Sequence, residues 1–174
     1  MPYCDSQGVK IYYEIDGNGP EVIMVHGFAA NMEANWKLPG IAEALRAENR
    51  LIMMDCRGHG KSDKPKDRAM YGDRMLDDIT NLMDHLGIKK ANFLGYSMGS
   101  RLSLGLLLTQ PERFKSVILG GFALADTPPG AKVAAPFQRD VVVKALLVDS
   151  INQVTDPVGR EFRRFAEATG ADLK

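Results

Sequence analysis

The chain has 174 residues, 45% of them hydrophobic, which suits one globular domain with a core of its own. Its 22 basic residues balance 22 acidic ones, so no net positive charge argues for binding to nucleic acid or to an anionic membrane. No secretory leader or membrane-spanning run is evident, and the two cysteines, Cys4 and Cys56, lack metal-site spacing. We therefore expect a soluble, cytoplasmic protein with reduced thiols, no metal and no cofactor.

The first sixty residues predict one antiparallel element followed by two parallel strands. Val9–Ile15 has strand propensity, and Asp16–Pro20 is a dense turn signal, which together predict an N-terminal strand or hairpin. Glu21–Val25 and Leu51–Met54 are continuous apolar runs, the pattern of parallel strands covered on both faces. Between these two runs, Leu38–Ala47 predicts a helix.

The middle of the chain continues this alternation. Met75–Leu86 carries apolar residues at helical spacing, and Gly87 ends the pattern as a C-terminal glycine does. A strand over Ala91–Leu94, a helix over Ser100–Thr109 and a strand over Ser116–Leu119 follow. Alternating strands and helices predict the α/β class with a largely parallel sheet.

After Phe122 the sequence pattern no longer predicts strands and predicts only helices. Phe137–Ile151 is strongly apolar and predicts a helix, although its run Val141–Val143 has higher strand than helix propensity. Asp156 followed by Pro157 predicts a helix start, and Gly170 predicts its end.

One pentapeptide carries the strongest chemical signal. Gly95–Gly99 reads G-x-S-x-G between a predicted strand and a predicted helix, which is the context of a nucleophile elbow and makes Ser97 a candidate nucleophile. Upstream, His26-Gly27-Phe28 follows a strand in the same way. The backbone N–H groups of Phe28 and Met98 would form an oxyanion hole, each donor contributing about 3 kcal/mol to the transition state. The simpler alternative is a tight turn beside a buried histidine.

Three motifs in this order, Val25–Phe28, Asp55–Ser62 and Gly95–Gly99, resemble those of the α/β-hydrolase superfamily. The resemblance covers the chain from about Gly8 to Ala125. It implies an α/β-hydrolase fold and a serine hydrolase that cleaves carboxylic esters, with a small apolar ester-like substrate. A serine at the elbow argues against haloalkane dehalogenases and epoxide hydrolases, which carry aspartate there. Cofactor-free haloperoxidase or C–C bond hydrolase activity stays open.

The family order of the triad is serine, acid and then histidine, and all three histidines of this chain precede Ser97. Asp126 is a weak candidate for the acid. We therefore expect the N-terminal portion of a hydrolase, with its sheet ending after about the sixth strand, and with weak or lost activity. Residues 1–125 would form part of the core, and residues 126–174 a helical lid or cap segment.

Each histidine has a structural role in this interpretation. His26 would brace the oxyanion turn, and His85 would be a half-exposed helix residue. His59 would clamp its loop with Asp55, Arg57 and Ser62, the alternative being a residue in the wall of the active site.

Two further expectations concern partners and the rival function. The open edge at Ser116–Leu119, or the helices of Phe137–Thr169, would be covered in a homo-oligomer. The rival from another class is a non-catalytic module that binds a small apolar ligand or self-assembles.

Overall fold

A computed structural model describes residues 2–122 and 139–173 of the chain. They belong to two compact units, Met1–Phe122 and Ala123–Lys174. The predicted division between residues 125 and 126 lies outside the described residues and stays a prediction, and Asp126 lies outside them as well.

The first unit is built on a six-stranded sheet. The strand order is β1-β2-β4-β3-β5-β6; β1 pairs antiparallel with β2, β2 pairs antiparallel with β4, and the other neighbours are parallel. This confirms the α/β class and the largely parallel sheet. The strands are β1 Tyr3–Ser6, β2 Val9–Asp16, β3 Glu21–Val25, β4 Arg50–Met54, β5 Ala91–Tyr96 and β6 Phe114–Gly120.

Two of the three helices predicted for this unit form as expected. They are α2, Arg74–His85, and α3, Met98–Thr109. Gly87 follows α2 with a φ of 69°, the left-handed conformation that favours glycine at a helix end. Short 3-10 turns cover Arg68–Met70 and Pro111–Arg113.

The predicted single helix over Leu38–Ala47 is wrong in extent. The chain instead forms one turn of π-helix, Glu33–Lys37, and a short helix α1, Ile41–Leu45. Gly40 separates the two as the residue before α1, with a left-handed φ of 78° that favours glycine. A single π-turn has no 3.6-residue apolar repeat, so periodicity did not reveal it.

Helices cover both faces of the sheet, which explains the continuous apolar strands. On one face, Ile79 and Leu82 of α2 and Leu106 of α3 pack in a cluster with Ile23 and Phe93. The opposite cluster joins strand residues to the π-turn and α1 through Trp36 and Ala42. Each fully buried large apolar side chain contributes roughly 1.5–3 kcal/mol, so these two layers hold the strand ends in place.

The second unit pairs two helices, α4 Arg139–Leu147 and α5 Pro157–Ala168, across a 3-10 turn at Ile151–Gln153. Asp156 caps α5 as predicted, because its carboxylate accepts the N–H of Gly159 at 2.9 Å. The valine run is helical despite its strand propensity.

Packing between α4 and α5 accounts for this helical state. A Cβ added at Gly159 of α5 would lie 3.2 Å from a methyl group of Val141, so the two helices approach closely there. The buried Arg163 donates hydrogen bonds to the carbonyl oxygens of Ala145, Leu146 and Val148, which satisfy the open end of α4. Tertiary contacts therefore outweigh the local propensity of the valines.

Two surface features bear on possible partners. β6 lies at the end of the sheet formed by the described strands, and the side chain of Ile118 on it is 63% exposed. Within residues 2–122 and 139–173, no helix has the length and apolar character needed to cross a bilayer.

Candidate active site

The G-x-S-x-G segment forms a sharp strand-to-helix turn. β5 ends at Tyr96, α3 begins at Met98, and Ser97 between them has a φ of 51° and a ψ of −106°. A non-glycine residue in such a conformation costs roughly 1–3 kcal/mol, and strain of this kind is concentrated at functional sites. The structure therefore places Ser97 on an elbow, as the sequence predicts.

The two glycines of the elbow are required by close backbone contacts. A Cβ at Gly99 would lie 1.9 Å from the carbonyl oxygen of Val25, at the end of β3. A Cβ at Gly95 would lie 2.6 Å from the carbonyl oxygen of Gly99. Only hydrogen fits at either position, so the glycines let α3 start directly against the carboxyl ends of β3 and β5.

Hydrogen bonds to the end of β6 hold the elbow. The N–H of Ser97 donates to the carbonyl oxygen of Gly120 at 2.8 Å. Ser100 Oγ lies 2.7 Å from the same oxygen and 2.8 Å from the carbonyl oxygen of Gly95. These bonds are made by the backbone of Ser97 and the side chain of Ser100, and the hydroxyl of Ser97 makes no capping hydrogen bond at the start of α3.

The loop after β3 lies directly beside Ser97. A Cβ at Gly27 would be 3.4 Å from Ser97 Cβ, which places the turn containing Phe28 next to the nucleophile candidate. That turn is closed by the N–H of Ala30 on the carbonyl oxygen of Gly27 at 3.3 Å, and Ala29 has a φ of 56°. Met98 follows Ser97 at the first position of α3, where backbone N–H groups have no partner within the helix. The structure thus brings Gly27, the residue before Phe28, into contact with Ser97, and Met98 follows Ser97 directly in the chain. The oxyanion role of Phe28 and Met98 stays a prediction.

His26 ties this loop to the loop after β4. Its Nδ1 lies 2.7 Å from the carbonyl oxygen of Gly27, and its Nε2 lies 2.9 Å from the backbone nitrogen of Cys56. A carbonyl can only accept, so Nδ1 carries the proton and Nε2 accepts from Cys56. Complete burial lowers the pKa of His26 to about 3, so the ring is neutral at physiological pH. His26 braces the turn, as predicted, and both nitrogens are occupied.

Asp55 and Ser62 hold the loop after β4 in shape. The carboxylate of Asp55 accepts the N–H groups of Met32 and Lys61, each at 2.8 Å. Ser62 Oγ donates to the carbonyl oxygen of Asp55 at 2.6 Å and accepts the N–H of Tyr12 at 2.8 Å. Burial raises the pKa of Asp55 against the lowering effect of its two backbone donors. The predicted clamp is present in this loop.

His59 contacts both its own loop and the loop after β3, while its possible place in the wall of the active site stays a prediction. Its Nδ1 lies 3.0 Å from the carbonyl oxygen of Arg57, within the clamp. Its ring also packs edge to face against Phe28, with centroids 5.8 Å apart. Burial lowers the pKa of His59. His85 is exposed rather than half-exposed, and its Nε2 lies 3.2 Å from the hydroxyl of Tyr13.

Asp78 and Asn35 were not predicted from the sequence, and the side chain of Arg57, expected in the loop clamp, lies instead in a buried ion pair. Arg57 donates to both carboxylate oxygens of Asp78 on α2, at 3.0 and 2.5 Å, and both side chains are almost fully buried. Asp78 interrupts the apolar face of α2, a signal that would have pointed to a buried charged partner. Asn35, in the π-turn, accepts the N–H of Gly27 at 2.7 Å, and nothing in the local pattern marked it.

Comparison with known proteins agrees with this geometry. Residues 20–152 match the protein family described as the alpha/beta hydrolase fold, and the chain belongs to this family. A Bacillus subtilis (strain 168) protein, provisionally named 2-succinyl-6-hydroxy-2,4-cyclohexadiene-1-carboxylate synthase, is 30% identical over 84% of this chain and 51% of its own length. A 2-hydroxymuconate semialdehyde hydrolase of Pseudomonas sp. (strain CF600) is 30% identical over 70% of this chain and 43% of its own.

A solved structure supports the same assignment. The enol-lactonase of Burkholderia xenovorans LB400 matches with a TM-score of 0.61 at 33% identity, over 67% of this chain and 45% of that one. The chain therefore spans about half the length of the relatives it matches.

Proposed function

We propose that the protein is a serine hydrolase that cleaves small, apolar carboxylic esters through Ser97. The observation that carries the proposal is the strained backbone of Ser97, held at the start of α3 and directly against Gly27. Strain at this position presents the hydroxyl at the carboxyl edge of the sheet, where an ester can reach it. The enol-lactonase structure supports the ester class, since a lactone is a cyclic ester.

The chemistry follows from the order of groups around the serine. Ser97 Oγ would attack the ester carbonyl, and the N–H groups of Phe28 and Met98 would receive the charge that develops on its oxygen. The alcohol would then leave, and water would hydrolyse the acyl-enzyme. Helix α3 aids the first step, because the positive end of its dipole points at the developing anion.

The proton of Ser97 needs a base, and the three histidines of the chain are engaged elsewhere. Loss of the base in a serine triad lowers turnover by about a million-fold, and an oxyanion hole with substrate binding preserves roughly a thousandfold over water. We therefore propose weak activity for these 174 residues by themselves.

A fluorophosphonate probe tests the proposal, because it phosphonylates an activated serine. Because the base is missing, the expected result is slow formation of one adduct at high probe concentration, mapped by peptide mass spectrometry to Ser97 and absent from Ser97→Ala. Ser103→Ala is the matched control, since Ser103 is a buried serine of the same helix. An unlabelled wild-type protein would reject the proposal and favour the non-catalytic, ligand-binding module.

A second candidate reaction is suggested by one of the relatives. Because one of them is named a semialdehyde hydrolase, cleavage of a C–C bond by the same serine is a second candidate. Turnover of a panel of simple esters and of a vinylogous diketone acid separates the two, and both activities should vanish in Ser97→Ala.

We also propose self-association through β6, in a cytoplasmic protein. Ile118 is an exposed apolar residue on that edge strand, and such edges pair with other chains. Sedimentation velocity at micromolar concentration should show a dimer or larger species. The Ile118→Lys variant should sediment as a monomer. A wild-type monomer would contradict this.

A further inference from the structure

The side chain of Asn35 joins the π-turn to the loop beside Ser97. Its Oδ1 accepts the N–H of Gly27 at 2.7 Å, and a backbone N–H can only donate, which fixes the orientation of the amide. A Cβ at Gly27 would lie 3.5 Å from this Oδ1 and 3.4 Å from Ser97 Cβ. Asn35 and Ser97 therefore flank the same point of the loop.

The hydrogen bond has a directional consequence for the loop. Once the N–H of Gly27 is directed at Asn35, it is no longer available to a substrate oxygen. The peptide plane between His26 and Gly27 is thereby fixed, and the carbonyl oxygen of Gly27 is fixed in turn by His26 and Ala30. The position of the following residue, Phe28, depends on these three bonds.

The π-turn is what brings Asn35 to this place. The N–H of Leu38 donates to the carbonyl oxygen of Glu33 at 2.9 Å, the wider spacing of a π-helix, and such turns are rare and frequent at functional sites. Trp36, the next residue, is buried in the core and holds the turn against the sheet. Asn35 therefore sits on a rigid support.

We propose that Asn35 is a positioning residue of the Ser97 site, which sets the oxyanion loop by holding the N–H of Gly27. This inference rests on the proposed serine chemistry. Asn35 acts through the loop, so its loss should slow the reaction at Ser97 and leave the binding of the probe nearly unchanged.

The test compares Asn35, in the π-turn, with Asn31, which lies just before it. Asn31 Oδ1 accepts the N–H of Ala34 at 2.9 Å, so Asn31→Ala removes a bond from a side-chain amide to a backbone N–H in the same segment while the bond from Gly27 to Asn35 remains. The maximal rate of fluorophosphonate reaction at Ser97, and the probe concentration that gives half of it, are measured for each variant together with its urea unfolding.

Asn35→Ala should lower the maximal rate by about ten-fold or more, with the half-saturating concentration within about two-fold of wild type. Asn31→Ala should leave the rate within about two-fold. Equal rates for wild type and Asn35→Ala, or equal losses in both variants, would overturn the inference. A wild-type protein that does not label at Ser97 would instead refute the proposed function itself.

A second variant serves if Asn35→Ala does not fold. Asn35→Asp keeps the oxygen that accepts from Gly27 but adds a negative charge beside the developing oxyanion. Its rate relative to wild type should rise as the pH falls and the carboxyl group becomes protonated, because the acceptor remains while the charge disappears. A ratio that does not change with pH would contradict the positioning role.

Discussion

The imidazole of His26 accepts a hydrogen bond from the backbone N–H of Cys56 across 2.9 Å, and so joins the loop beside Ser97 to the loop after β4. The bond exists only while the ring is neutral. The loop beside Ser97 and the loop after β4 therefore both depend on one buried, uncharged histidine.

This dependence predicts acid sensitivity. Burial lowers the pKa of His26 from 6.5 to about 3, so below pH 6.5 the unfolded chain takes up a proton that the folded protein does not. Folding stability should then fall with decreasing pH, by up to about 1.4 kcal/mol per pH unit from this residue. Urea unfolding of wild type and His26→Asn at pH 7, 6 and 5 measures how steeply the free energy of unfolding of each protein depends on pH. His85→Asn, at an exposed histidine, is the control for the loss of one imidazole.

The variants are needed because other groups titrate in the same range. The lowered pKa of His59 acts in the same direction as that of His26, whereas the raised pKa of Asp55 acts in the opposite direction. If the free energy of unfolding depends on pH equally in wild type and His26→Asn, the buried ring is not the source of the acid sensitivity.

Gly99 should be far less tolerant of alanine than another glycine of α3. A Cβ at Gly99 would meet the backbone oxygen of Val25 at 1.9 Å, whereas one at Gly105 would meet only the terminal methyl groups of Leu76, at 3.3 and 3.4 Å. Gly99→Ala should lower the free energy of unfolding by about 3 kcal/mol or more. Gly105→Ala should change it by less than about 1 kcal/mol, because the gain in helix propensity offsets the tight contact. Similar unfolding midpoints for the two variants would argue against the close packing of α3 on β3.

The buried pair of Arg57 and Asp78 should show strong coupling. Arg57→Met leaves an uncompensated carboxylate in the core and should cost about 3–5 kcal/mol, whereas the double variant with Asp78→Leu should regain most of the loss. Arg164 and Glu161 form an exposed pair, where Arg164→Met should cost less than about 1 kcal/mol. If the losses of stability in Arg57→Met and Asp78→Leu simply add up in the double variant, the coupling is contradicted.

Much of the fold was visible in the sequence because it depends on patterns that are local. Continuous apolar runs marked β3 and β4, and a helical repeat marked α2, since buried faces impose these periods. The π-turn was missed because its single wide turn leaves no period. The hairpin partner β1, only Tyr3–Ser6, was too short to stand out.

The residues of the candidate site likewise fall into those that local motifs predict and those that only the folded structure brings together. Ser97 and Phe28 lie in short motifs next to predicted strands, so both could be identified from the sequence. Close backbone contacts require the two glycines that flank Ser97, Gly95 and Gly99. Asn35 contacts Gly27 only because separate elements fold together, and no local pattern marks it. Asp78 was marked by its place on the apolar face of α2, but its partner Arg57 lies 21 residues away in the sequence. His59 could be assigned two roles from the sequence because its loop shape was predictable while its contact with Phe28 was not.

Formation of an acyl-enzyme is the most direct test of the claim that Ser97 is the nucleophile. The protein is incubated with p-nitrophenyl butyrate, and its intact mass and peptides are measured over time. The account predicts slow release of p-nitrophenol with one butyryl group retained on Ser97, because acylation needs the serine and deacylation lacks a base. Butyrylation of Ser97→Ala at the wild-type rate, or p-nitrophenol release without any adduct on Ser97, would contradict it.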